Sequence, residues 1–180
     1  LPPSSQGHEF NINFWLYIND YKYNYNKDKI IIKRKNGNNS TLIIQLDKET
    51  NSLTVKILTL KRLNPLENYT SKSTYTPYNE NQDNFNLLNS DSYEMEQFTI
   101  NNIELQRWLN INVSLVNTSL DIFMDGYLVK SLYLKGVPAN SLSDLEITPD
   151  GGFNGFISKM LYFNKALSPT EILSIYKNSP

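Results

Sequence analysis

The chain has no cysteine, a single histidine and no excess of either charge, and each shortage removes a class of chemistry. Without cysteine there is no disulfide, no thiolate nucleophile and no cysteine metal site. The compartment stays open, because a core of this size needs no covalent staple in either redox setting. The lone histidine, His8, lies near the start and leaves a Ser-His-Asp triad or a histidine zinc site without further material. Basic residues number 17 and acidic residues 18, with no basic stripe along the chain. A nucleic-acid surface needs clustered Lys and Arg to displace counterions from phosphates, so no nucleic-acid partner is expected. The one dense cluster, Lys33-Arg34-Lys35, stands at an expected strand end before an Asn-Gly turn. No run approaches the roughly 18 apolar residues of a spanning helix, so direct membrane insertion by this segment is not expected. The opening residues do not read as a signal peptide. The chain opens at Leu1 rather than methionine, as a piece excised from a longer polypeptide would.

What is present suits a globular fold. The 180 residues are 39% hydrophobic and 12% aromatic, enough for one domain over 1–180 with a two-sheet core. About one residue in seven is asparagine, which we read as coding-composition bias. Five glycosylation sequons, at Asn38, Asn39, Asn68, Asn112 and Asn117, are no more than this composition produces by chance.

Hydropathy alternates from Phe10. Phe10, Ile12, Phe14, Leu16 and Ile18 take one face, and Asn11, Asn13, Trp15 and Tyr17 the other. Period two is a strand with a greasy inner side, and the aromatic outer side predicts a covering loop layer. Further strands are expected at 29–32, 41–46, 52–58, 98–100, 108–116, 120–124 and 127–134, the later ones as a meander of adjacent antiparallel strands. Tight turns are expected at Asn36-Gly37 and Asp125-Gly126. About 64–95 lacks periodicity and reads as a long loop or insertion. A helix from Ser168 to about Lys177 carries a capping box (Ser168, Glu171), Pro169 in its first turn and a Leu167–Ile172 staple. It reads as a lid on the sandwich edge.

The closing third carries Arg107-Trp108, Leu120 to Gly126, and the strand Gly152-Phe153-Asn154-Gly155-Phe156-Ile157-Ser158 before that helix. This order resembles the end of concanavalin A-like (laminin-G and pentraxin type) jelly-roll domains. Gly7-His8-Glu9-Phe10, Phe14 to Asp20, Leu105 to Ser114, Gly136-Val137-Pro138 and Ile147 to Phe153 are similar to a group of that superfamily frequent in large DNA viruses of eukaryotes. The resemblance covers about three-quarters of the chain. It implies an all-β, two-sheet antiparallel jelly-roll sandwich with a short C-terminal α-helix. Gly126, Gly155, Trp108 and Phe153 read as framework, the two aromatics filling the space between sheets. The superfamily spans lectins, glucanases, pentraxins and adhesion modules, so the fold leaves function open.

Glucanase relatives carry a Glu-x-Asp-x-x-Glu strand that neither Glu94-Met95-Glu96 nor Asp121 to Asp125 reproduces. No catalytic residue is therefore expected, and glycoside hydrolysis ranks a distant third. Pentraxin and laminin-G relatives often bind calcium, and Asp144, Glu146, Asp150 and Asn154 lie close enough in sequence to offer oxygen ligands. No other cofactor is expected. Carbohydrate binding uses exposed aromatic rings beside amide hydrogen-bonders. Tyr75, Tyr78, Asn79 and Asn81 supply these types, as do Tyr21, Tyr23 and Tyr25. The reading is a non-catalytic recognition or attachment module on a virion or extracellular surface, with glycans or other protein subunits as partners. The competing reading is a structural shell subunit making protein contacts only.

Overall fold

The computed structural model describes residues 8–61, 92–141 and 143–178. Eleven strands are present among them: β1 (Glu9–Asp20), β2 (Lys29–Asn36), β3 (Asn39–Leu46), β4 (Ser52–Leu60), β5 (Tyr93–Asn101), β6 (Trp108–Val116), β7 (Ser119–Met124), β8 (Tyr127–Tyr133), β9 (Val137–Pro138), β10 (Leu145–Ile147) and β11 (Asn154–Phe163). One helix, α1 (Pro169–Lys177), follows. The strands form two antiparallel sheets, ordered β11-β1-β6-β7-β8 and β10-β2-β3-β4-β5, with β9 paired to β4. The expected all-β sandwich with a short terminal helix is the architecture found.

Alternation builds the core as the sequence predicts. Ile12, Phe14, Leu16 and Ile18 of β1 and Leu109, Ile111, Val113 and Leu115 of β6 point inward. They meet Ile32, Leu42, Ile44, Leu46, Leu53, Val55 and Ile57 of the other sheet. These side chains are at most 3% exposed, so the space between the sheets is dry over most of its length.

Connectivity departs from a simple meander. Of the later strands only β6, β7 and β8 form a meander, because β5 closes a separate one, β2 to β5, in the other sheet. β1 pairs not with its sequence neighbour but with β6 and β11. β5 also begins at Tyr93, so it reaches into the segment expected to be a loop; the rest of that segment, to residue 91, lies outside the described residues. The early part of β5 escapes a hydropathy reading because its buried residue is Glu96. That carboxylate accepts from Thr59 Oγ1 at 2.9 Å, from Lys135 N at 2.9 Å and from Gly136 N at 3.1 Å. A buried charge so satisfied is structural glue, and it disguises the alternation.

The outer face of the five-stranded sheet carries the least foreseen feature. Asn11 and Asn112 exchange two amide hydrogen bonds, at 3.0 and 2.8 Å. Asn13 and Asn110 exchange two more, at 3.0 and 3.1 Å. All four asparagines are at most 1% exposed. Register places Asn11 opposite Phe163 and Asn112 opposite Phe123. Those rings form a second apolar cluster with Leu167, Ile172 and Ile175, so α1 lies over the amides. Trp15, directly across from Asn110, stacks on Tyr176 with ring centroids 5.7 Å apart. The covering layer is therefore a helix rather than a loop, and it lies across the sheet face rather than on the sandwich edge.

The helix forms as its sequence predicts. Ser168 Oγ accepts from Glu171 N at 3.3 Å, and Glu171 Oε2 accepts from Ser168 N at 2.7 Å. The Ser168 hydroxyl, donating at 2.7 Å, and then the Ser168 N–H hold the Glu171 carboxyl below its ordinary pKa. Gly126, in the turn beneath α1, has φ +80°, which disfavours any side chain, and a Cβ there would crowd Leu173 Cδ1 at 2.8 Å and Tyr176 Cβ at 3.3 Å. Complete burial of Asn112 also closes that sequon in the folded state, whereas Asn38, Asn39 and Asn117 are exposed.

Asn13→Ala strands the Asn110 amide without its reciprocal partner and is expected to cost about 1–3 kcal/mol of unfolding free energy. In a double-mutant cycle by urea unfolding, Asn13→Ala with Asn110→Ala should cost clearly less than the two single changes summed.

Candidate functional site

The acidic group proposed for calcium does not stand alone in the fold. Lys35 Nζ contacts Glu146 Oε1 at 2.8 Å, and Lys33 Nζ lies 3.7 Å from Asp150 Oδ2. The Glu146 hydrogen bond holds the Lys35 ammonium above its ordinary pKa. Asn154 Oδ1 accepts from Asn19 Nδ2 at 3.2 Å, and Asp144 is likewise engaged. An arriving cation would have to compete with two lysines already on these oxygens. Among the described residues no three His, Asp or Glu side chains cluster to hold a metal. Strand alternation thus divides the basic triplet: Lys33 and Lys35 turn outward onto the acids, and Arg34 turns inward.

Tyr75, Tyr78, Asn79 and Asn81 lie outside the described residues. Of the earlier tyrosines, Tyr23 and Tyr25 are exposed, while Tyr21 is framework. Its hydroxyl donates to Asp47 O at 2.7 Å, and Lys29 Nζ sits 4.5 Å from its ring centre. Burial, then the nearby Asp47, pushes the Tyr21 phenol up to about 12. The paired acids Glu94 and Glu96 are not arranged for hydrolysis, since Glu96 is buried and consumed by main-chain donors.

An exposed site emerges elsewhere, from three aromatic residues that the sequence reading did not bring together. Register sets Phe156 of β11, Tyr17 of β1 and Trp108 of β6 in one row across three adjacent strands. Ring centroids are 6.2 Å apart for Tyr17–Phe156 and 5.5 Å for Tyr17–Trp108, both tilted. Phe156 is 58% exposed and Trp108 41%. Two strand spacings make this an apolar shelf about 10 Å wide. Trp108 was expected to fill the space between the sheets and does not. Leu109, Ile111 and Val113 take the inner positions of β6, so Trp108 shares the outer face with Asn110 and Asn112. Phe153, by contrast, does pack against the core.

Gly155 permits the shelf. A Cβ there would lie 2.0 Å from Tyr17 O, so only glycine lets β11 close against β1 beside Tyr17. Polar groups border the rings. The Asn19–Asn154 amide pair follows Tyr17 along the strands, and Arg107 pairs with Glu104 and, at 2.8 Å, with Asp125. Asp125 also accepts from Asn110 N at 2.9 Å, tying the rim to the turn under α1. Glu104 and Asp125 raise the Arg107 pKa further, so its charge is fixed. The signal was available in the sequence: Trp108 occupies the polar phase of the 108–116 alternation.

No protein-family model matches the chain, and no curated protein is similar to it in sequence. Solved structures are similar in fold. The botulinum neurotoxin serotype G binding domain superposes with a TM-score of 0.61 at 16% identity, covering 97% of this chain and 37% of that one. The serotype D binding domain gives 0.62 at 13% identity, with 98% and 37% covered. The receptor binding domain of the mosaic serotype C/D gives 0.62 at 13% identity, with 95% and 36% covered. The chain thus spans little more than a third of the length of these domains. At such identities the likeness is one of fold, a two-sheet antiparallel sandwich.

The Tyr21 phenol has a folded pKa of about 12 against an ordinary 10.0. The protonated phenol therefore contributes stability that is fully present below pH 10 and lost as pH rises toward 12. Wild-type protein should lose unfolding free energy across that interval relative to Tyr21→Phe, measured by urea unfolding at each pH.

Proposed function

We propose that this chain is a non-catalytic recognition module that binds a carbohydrate on the Tyr17–Trp108–Phe156 row. The observation that carries the reading is three aromatic side chains in register across three strands, two of them largely open to water. Pyranose rings offer an apolar C–H face and a hydroxyl rim. The row offers three adjoining apolar rings, tilted to one another, and Asn19, Asn154, Arg107 and Glu104 supply donors and acceptors around them. Fold similarity to domains named as receptor-binding supports a binding module rather than an enzyme. The resemblance to concanavalin A-like domains of large DNA viruses supports display on a virion or cell surface. Tyr75, Tyr78, Asn79 and Asn81 are proposed as further glycan contacts.

The protein is expected to select a restricted set of sugars on a glycan array. Against the strongest of these, Trp108→Ala and Phe156→Ala should each weaken binding by at least about tenfold, or about 1.4 kcal/mol. Thermal stability should be nearly unchanged, because neither ring is in the core. An array without a selected sugar, or variants that bind as wild type, would sink the reading.

One observation favours the structural-subunit alternative. β8 is an edge strand, and it leaves Tyr127, Leu128, Val129 and Tyr133 between 47% and 81% exposed. Apolar edges invite pairing with another chain. Under that reading light scattering finds an oligomer, and Val129→Lys dissociates it to monomers.

A further inference from the structure

The aromatic row does not end at Phe156. Beside that ring lies a groove of about 460 Å³, open to solvent, between the edge strands β11 and β10 of the two sheets. Ile147 of β10 lines it together with Phe153, Phe156 and Ile157. Phe156 belongs to the row as well, so row and groove form one continuous surface. The volume lies within the range of small-ligand sites. None of the described residues that line the groove carries an ionisable side chain. The charge that precedes them in the chain, Asp150, is a carboxylate 3.7 Å from Lys33. The groove therefore offers an acidic sugar no counter-charge of its own.

Glycine creates the space, and an amide stands at its edge. Gly151, Gly152 and Gly155 all line the groove. Gly151 has φ +90°, and a Cβ there would meet only Asn24 Nδ2, at 3.7 Å. Asn24 lies in the loop that also carries the exposed Tyr23 and Tyr25. The turn around Gly151 is held in uncommon conformations: Thr148 has φ 47° and Asp150 φ 58°. Positive φ at a β-branched residue is an outlier, and backbone strain of this kind collects at ligand sites. An apolar recess with an amide at its rim suits a substituent that carries both a methyl and an amide, which is the make-up of an acetamido group.

We infer that the groove receives the acetamido group of a neutral N-acetylhexosamine residue whose neighbour in the same oligosaccharide lies on the aromatic row. The methyl displaces water from Ile147, Phe153 and Ile157, and the acetamido amide pairs with the Asn24 side chain, which both donates and accepts. The inference rests on the row being the sugar-binding surface. It adds to that reading a chain of more than one residue and the substituent that is selected.

Triacetylchitotriose and cellotriose are suitable probes, equal in linkage and length and different in the acetamido groups. In calorimetric titrations triacetylchitotriose should bind at least about tenfold more tightly. Asn24→Gly removes the amide and suits the positive φ of 49° at that position. Ile147→Trp fills the groove from a position 42% exposed on an edge strand. Each should bring triacetylchitotriose down to the affinity of cellotriose, and should one variant not fold, the other decides. Equal binding of the two trimers, no binding of triacetylchitotriose, or a folded variant that keeps the full preference would overturn the groove. Equal binding that falls in Trp108→Ala removes the groove and leaves the row. Binding indifferent to Trp108→Ala removes both.

Discussion

Strand β1 is held to β6 by two reciprocal amide pairs, Asn11 with Asn112 and Asn13 with Asn110, and the outer face is organised by that register. The two strands lie about a hundred residues apart in the chain, so ordering them carries a large loop-closure cost. A slip of β1 by one residue would drive Asn11 and Asn13 into the Ile and Phe of the core and expose the core residues of that strand to water. Buried amides have no tolerance for such a slip, because each unpaired amide costs about 1–3 kcal/mol. The amide ladder therefore specifies register where apolar contact alone would tolerate alternatives.

Register in turn assigns the side chains of β1 to their tasks. Its even positions build the core. Its odd positions run from the amides, under α1, through Trp15 on Tyr176, to Tyr17, half-buried between Trp108 and Phe156. The helix stops short of the aromatic row, so one sheet face is sealed at one end and presented at the other. Gly126 and Gly155 make both ends possible, the first by admitting the helix and the second by admitting β11.

Charge is settled locally. Lys33 and Lys35 meet Asp150 and Glu146 across β2 and β10, and Arg107 meets Glu104 and Asp125 at the rim of the shelf. The basic cluster of the sequence and the acidic group read as calcium ligands are largely each other's partners. Arg34 is the exception, since alternation carries it away from those acids and into the sandwich.

The sequence by itself determined the sandwich, the inner faces of its long strands, the Asp125-Gly126 turn and the capped helix. These follow from period-two hydropathy, turn chemistry and capping, which act over a few residues. It misplaced Trp108 by letting size outweigh phase. It could not read the start of β5, because a hydrogen-bonded Glu96 sits where alternation expects an apolar residue. Which strands pair, and hence which side chains share a row, was decided only in three dimensions. Trp108 lies 91 residues beyond Tyr17 and Phe156 another 48 beyond that, yet the three meet because β1 lies between β11 and β6. The asparagines were indistinguishable from compositional bias until their partners were opposite them. Local physics writes the elements; the register of distant strands writes the sites.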